Sequence, residues 1–245
     1  MSDLTSCYVE RWFVTKEALA NQCGLSEQAL DELLNAKAAP GVVYSRNVSG
    51  EWWSALAGYT GKSPSAPAAG GEDRYAPAAA YWLRRAVLIM RDGSSAEEAA
   101  AQNRKDFAAQ FVDALESEPL ALTNYPDAFE NGVVKIAMAT SIANQEWDAW
   151  TSGAYAVCLR SFTGQSCVAK ESLARFLRVN AQAGGMSHPP IEVLDQIERL
   201  SIWLMPFAPF EREQGTPGLA IDMNLEHLKL GRENPYGFAQ PEKVA

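Results

Sequence analysis

Two histidines, four cysteines and several carboxylate pairs are the residues with which this chain could do nucleophilic, metal or acid–base chemistry. His188 precedes Pro189-Pro190, and His227 stands between Glu226 and Leu228. Neither belongs to an HExxH run or to another spacing that recurs in zinc sites. A ligand set of His188, Glu192 and Asp195 can be drawn, but a surface or half-buried histidine explains each residue more simply. Cys158 and Cys167 would act as nucleophiles only with a histidine base beside them in space. Cys158 falls in an apolar helical run, where an inert buried thiol is expected. The pairs Glu97-Glu98, Glu116 with Glu118, and Asp31-Glu32 need a cleft and separated pKa values before they serve as acid and base. Exposed helix faces account for them without that. GxSxG, SxxK and a glycine-rich phosphate loop after a strand are all missing, and the Gly-Gly steps at Gly70 and Gly184 fall in loops. The expectation is no catalytic residue, no metal ligand and no cofactor.

Nucleic-acid contact is the other chemistry on offer. From Lys16 to Asn35 the chain reads KEALANQCGLSEQALDELLN. Leu19 and Ala20 fall where a first helix packs on a second, and Cys23-Gly24-Leu25 form the turn, glycine supplying positive φ at no steric cost. Leu30 and Leu33 continue the apolar face, Ser26 is a good N-cap, and Glu27 suits the helix dipole. This resembles the DNA-binding helix-turn-helix. If it reads DNA, Ser26, Gln28, Asn35 and Lys37 are the contacts. The outer positions of the second helix nevertheless include Glu27, Asp31 and Glu32, where groove readers place amides and cations. Residues 1–60 set Arg11, Lys16, Lys37 and Arg46 against seven carboxylates, which forfeits the counterion-release contribution to affinity. Charge therefore disfavours nucleic acid.

The elements that must position these residues are mostly helical. The run Glu146–Leu177 is the centrepiece: Trp147, Trp150, Ala154 and Val157 recur at helical spacing. Gly153 would let another helix approach closely, and the helix should run past Arg160 to a stop at Gly164. Upstream, Val42-Val43-Tyr44 reads as a short extended segment or small wing. Pro77 opens a helix ending at Asp92-Gly93, and Ser94 or Ser95 with Glu97 or Glu98 makes a capping box. Phe107, Phe111 and Leu115 line the next helix. Pro126-Asp127 begins another through Phe129, Val133, Ile136 and Thr140, with the tryptophan helix following Asn144. Ser166 caps a helix ended by Gly184-Gly185, Pro189-Pro190 opens the next, and Pro217 starts a last one reaching Gly231. Lys62–Asp73 is rich in Pro, Ala, Gly and Ser and reads as a linker. The division expected is a helix-turn-helix-like unit over 1–61, a linker over 62–74, a helical body over 75–231 and a flexible tail over 232–245.

With 245 residues, 47% hydrophobic and 21% charged, the chain can bury a sizeable core without staples. Its net charge of -9 repels phosphate backbones and anionic membranes alike. No apolar run is long enough to span a bilayer. The cysteines form no CxxC pair and read as reduced thiols. The opening MSDLTSCYVERWF lacks the basic and apolar regions of a secretory signal, so a cytoplasmic location is expected.

Two runs are familiar together. YVERWFVTKEALANQCGLSEQALDELL followed by APGVVY, and EWDAWTSGAYAVCLR followed by Lys170-Glu171, resemble segments of a group of uncharacterised bacterial proteins. The resemblance implies an all-α bacterial protein of unassigned activity and carries over no functional residue. The reading is thus an all-α fold, a helix-turn-helix-like unit packed on a multi-helix, bundle-like body. The favoured role is non-catalytic, regulatory or protein-binding, with an unidentified protein partner. The alternatives are a DNA-binding regulator, as a homodimer on paired half-sites, and a small-molecule-binding or enzymatic helical body with a deep pocket beside the tryptophans.

Overall fold

A computed structural model describes residues 4–56, 58–59, 71–153 and 159–230. The fold is mostly α-helical. Three short helices open it, α1 (Leu4–Trp12), α2 (Lys16–Cys23) and α3 (Glu27–Asn35). Their boundaries follow from side-chain chemistry. Thr15 Oγ1 accepts from the Ala18 N–H, Gly24 turns left-handed at φ 67°, and Ser26 Oγ accepts from the Ala29 N–H.

A four-stranded antiparallel sheet follows, in the order β3-β2-β1-β4, from β1 (Val42–Arg46), β2 (Trp52–Ser54), β3 (Gly58–Tyr59) and β4 (Glu72–Tyr75). The extended segment expected at Val42–Tyr44 is thus one strand of a larger sheet. Its partner β4 takes up the last residues of the Pro/Ala/Gly-rich segment, with Glu72 exposed and Arg74 and Tyr75 buried. Trp52 is fully buried, and its neighbour Trp53 on the opposite face is half-buried.

The body comprises α4 (Ala79–Met90), α5 (Ala96–Ser117), α6 (Ala121–Asn124), a hairpin of β5 (Phe129–Glu130) and β6 (Val133–Val134), α7 (Ile136–Thr151), α8 (Gly164–Gln182), α9 (Pro190–Trp203), α10 (Pro209–Arg212), a π-helical turn (Pro217–Asp222) and α11 (Met223–His227). The expected capping box forms with Ser95 and Glu98, and Pro190 opens α9 as anticipated. The long helix α5 is the axis against which α4, α7 and α8 pack. Trp82, Phe107, Trp147, Trp150 and Phe162 fill the space between them. Trp82 and Trp147 meet edge-on with centroids 5.0 Å apart, and Trp150 stacks on Phe162 at 4.5 Å. The Trp82 indole N–H donates to the Phe162 carbonyl at 2.7 Å.

Several expectations for the body need correction. The stretch from Phe129 to Val134 is a hairpin, because Asn131 and Gly132 both take positive φ (51° and 79°), as a two-residue type I′ turn requires. Consequently α7 begins at Ile136 and runs unbroken through Asn144. It then ends at Thr151, since Gly153 adopts φ 82°. Ala154, Val157 and Cys158 of the expected stripe lie outside the described residues. The neighbour that needs Gly153 bare is a strand, not a helix: a Cβ there would sit 2.3 Å from the Val42 carbonyl oxygen. Gly164 starts α8 instead of stopping a helix. Thr163 is its N-cap, in a reciprocal pair with Ser166, and a Cβ on Gly164 would fall 2.2 Å from the Phe111 backbone nitrogen.

Candidate functional site

The residues singled out for nucleic-acid contact sit together on the N-terminal hairpin. Ser26 caps α3, Gln28 donates to Glu32 at 3.3 Å, Asn35 is exposed at the helix end, and Lys37 is exposed with φ 61°. The cations around them are engaged separately. Lys16 pairs with Asp31 at 2.6 Å, Arg46 lies over Trp52, and Arg11 and Arg160 both lie over Trp12. His188 Nδ1 is 3.4 Å from Glu192 and its ring packs on Phe176, while His227 Nε2 contacts the Ala181 carbonyl at 3.1 Å. Among the described residues no group of three or more His, Cys, Asp or Glu is placed to hold a metal ion. Nor is any helix among the described residues long and apolar enough to cross a membrane. Cys7, Cys23 and Cys167 are free thiols.

A different set of residues converges in a cavity of about 350 Å³ at one end of the α7–α8 layer. Glu146 comes from α7, one residue before Trp147 and one turn before Trp150. Lys170, Glu171 and Arg178 come from α8, and Asn124 and Tyr125 from the end of α6. Leu56, Phe207 and Leu219 form apolar walls, with Gln214 and Thr216 between them.

Burial governs the electrostatics. Lys170 is 4% exposed and its ammonium pairs with Glu171, whose other oxygen lies 3.8 Å from the Arg178 guanidinium. The Glu146 carboxyl is pushed up to about 7, first by burial and then by the neighbouring Glu171 charge, against Lys170 and a hydrogen bond from Trp150. The Tyr125 phenol is held well above its usual range by burial and by the nearby Glu146 and Glu171 carboxylates. A hydrogen bond from the Asn124 side chain works against that rise, and the buried ring meets Phe111 edge-on at 5.5 Å. A carboxyl poised near neutrality beside a buried cation, a guanidinium and a buried phenol can exchange protons with a bound molecule and hold it by charge.

The wall of this cavity is built with strain. Phe207 takes φ 65°, a conformation costly for a bulky residue. Gly215 accommodates its ring, since a Cβ there would lie 2.4 Å from it. Arg212 then fixes the segment from below, donating to both oxygens of Asp222 at 2.8 and 2.7 Å and to the Pro206 carbonyl at 3.0 Å. Asp222 closes the π-helical turn, a rare geometry that often accompanies functional sites. Neighbouring Glu211 is fully buried and accepts from Tyr44 at 2.5 Å and from Ser54, tying the pocket wall to β1 and β2.

Sequence reasoning passed over every one of these pocket residues as a site. The available signal was Lys170, a charged residue in phase with Cys167, Ala174 and Leu177 on the buried side of α8. Such a placement requires a buried counter-ion, and Glu171 supplies it.

No curated protein and no solved structure matches this chain. The sequence pattern of a family of unknown function (DUF6058) matches residues 103–228, a span that holds every charged group of the cavity. That span is just over half of the 245 residues, and the protein belongs to this family.

Proposed function

We propose that this protein binds a small organic molecule in the cavity between α7 and α8, with Glu146 as the group that exchanges a proton with it. The supporting observation is the meeting in one cavity of Glu146, Tyr125, Lys170, Glu171 and Arg178, drawn from three elements, against apolar walls. Small-molecule sites usually take this form, a largely apolar hollow with a few convergent polar groups. A protein that merely needed to fold would gain more from apolar residues at these positions than from a buried ion pair. The reaction class such a site suits is proton transfer. The test is ligand-observed NMR with a mixture of small organic compounds, run on the wild-type protein and on Leu219→Trp, which fills the cavity from its exposed wall. Binding compounds should lose their signal in the variant. Compounds that bind equally to both proteins, or no binding at millimolar concentration, would sink the reading.

A second reading rests on a separate observation. Helix α3 turns Glu27, Gln28, Glu32 and Asn35 to solvent, an acidic face suited to a basic protein partner. Asp31→Lys with Glu32→Lys should abolish such an interaction, and unchanged partner binding would remove it. Binding of random-sequence duplex DNA that weakens steeply with salt would favour the regulator reading instead.

A further inference from the structure

We infer that the ligand of this cavity is a small organic monocarboxylate, seated on the Arg178 guanidinium and covered by Leu56, Phe207 and Leu219. The inference rests on the binding role proposed above and specifies its chemistry. Arg178 and Glu171 are 3.8 Å apart, too far for a hydrogen bond, so the planar fork of the guanidinium is not committed to that carboxylate. A ligand carboxylate can engage that fork through two parallel N–H···O bonds.

Charge selects among ligands. Helix α8 brings two cations, Lys170 and Arg178, and one carboxylate, Glu171; α7 brings Glu146. Tyr125 contributes a neutral phenol, Cys167 a thiol near it, and Trp150 an indole N–H toward Glu146. With Glu146 ionised the cluster is neutral. With Glu146 protonated it carries one positive charge, which one carboxylate cancels. A dianion would leave a surplus negative charge enclosed, and an ammonium would face two cations. Volume sets the size: about 350 Å³ is the space of about a dozen waters at ~30 Å³ each, so the acid has on the order of ten non-hydrogen atoms.

A thermodynamic consequence makes the inference testable. The carboxylate binds best when Glu146 holds its proton, so binding takes up a proton, and affinity falls as pH rises through the Glu146 titration. The experiment is isothermal titration calorimetry on the full chain with benzoate, its neutral isostere benzamide, and inorganic phosphate, at pH 6 and pH 8. Benzoate should bind at pH 6 and be roughly tenfold or more weaker at pH 8, by linkage through one proton. Benzamide should bind more weakly, with no pH dependence, and phosphate not at all. Glu146→Gln, which keeps the shape of the protonated acid, should bind benzoate equally at both pH values. Arg178→Gln, at the partly exposed edge where folding is least at risk, should lose about tenfold or more in benzoate affinity. Benzamide binding as tightly as benzoate, lost in Leu219→Trp and unaffected in Arg178→Gln, would overturn the carboxylate assignment while leaving the cavity a binding site. Failure of benzoate to bind also overturns it, and the NMR comparison with Leu219→Trp then decides separately whether the cavity binds anything.

Discussion

At the scale of single residues, Glu146 ties the site to a measurable property of the folded protein. Its carboxyl is raised from an ordinary value to about 7, so the native state holds a proton that the unfolded chain releases. Stability from this group is therefore complete at low pH, declines as pH rises from about 4.5, and is gone above 7. Glu146→Gln removes the penalty. Urea titrations at pH 5 and pH 8 should find the variant close to wild type at the lower pH and about 2 kcal/mol more stable at the higher one. A gap of the same size at both pH values would contradict the assignment. The meeting of these groups is not legible in the sequence. Ser26, Gln28, Asn35 and Lys37 drew notice because a local motif frames them, whereas Tyr125, Glu146 and Lys170 lie on separate elements and meet only after the chain has folded. Periodicity records which way a side chain faces, not what it faces.

At the scale of elements, the signals written in one or two residues were readable. The Ser95 capping box, the left-handed Gly24, the Gly184-Gly185 stop and the prolines that open α9 and the π-helical turn all mark boundaries. Boundaries set by long-range contact were not. Gly164 looked like a helix stop by composition, yet it is needed because α5 passes against the first turn of α8. Gly164→Ala should cost at least about 2 kcal/mol, read as a lowered midpoint in chemical denaturation, because the new methyl meets backbone that cannot yield. Asn131-Gly132 gives a gentler case: Gly132→Ala forces a Cβ into positive φ and should cost about 1 kcal/mol. Its effect should stay local, since a Cβ there has open space around it.

At the scale of the whole molecule, one buried cluster extends from Tyr8 and Phe13 through Trp82 and Phe107 to Leu200 and Ile221. A continuous core predicts a single cooperative transition, with tryptophan fluorescence and far-UV circular dichroism superimposing on urea titration. The Tyr44–Glu211–Ser54 contact is the polar part of that continuity, joining the sheet to the pocket wall across 167 and 157 positions of chain. Burial raises the Glu211 carboxyl, and the two hydroxyls oppose that rise. Tyr44→Phe removes one donor from an enclosed carboxyl and should lower stability by about 1–3 kcal/mol. It should also weaken ligand binding if the wall is held from the sheet side.

Gly215 has a consequence for how the cavity can be reshaped. The ring of Phe207 occupies the space that any side chain at position 215 would take, and that ring is a wall of the cavity. The size of the residue at 215 therefore acts as a gauge on cavity capacity, set by one codon outside the charged cluster. Substitution there would reshape the wall while leaving Glu146, Lys170 and Arg178 in place, so the capacity of the cavity and its charge are separable traits in this architecture.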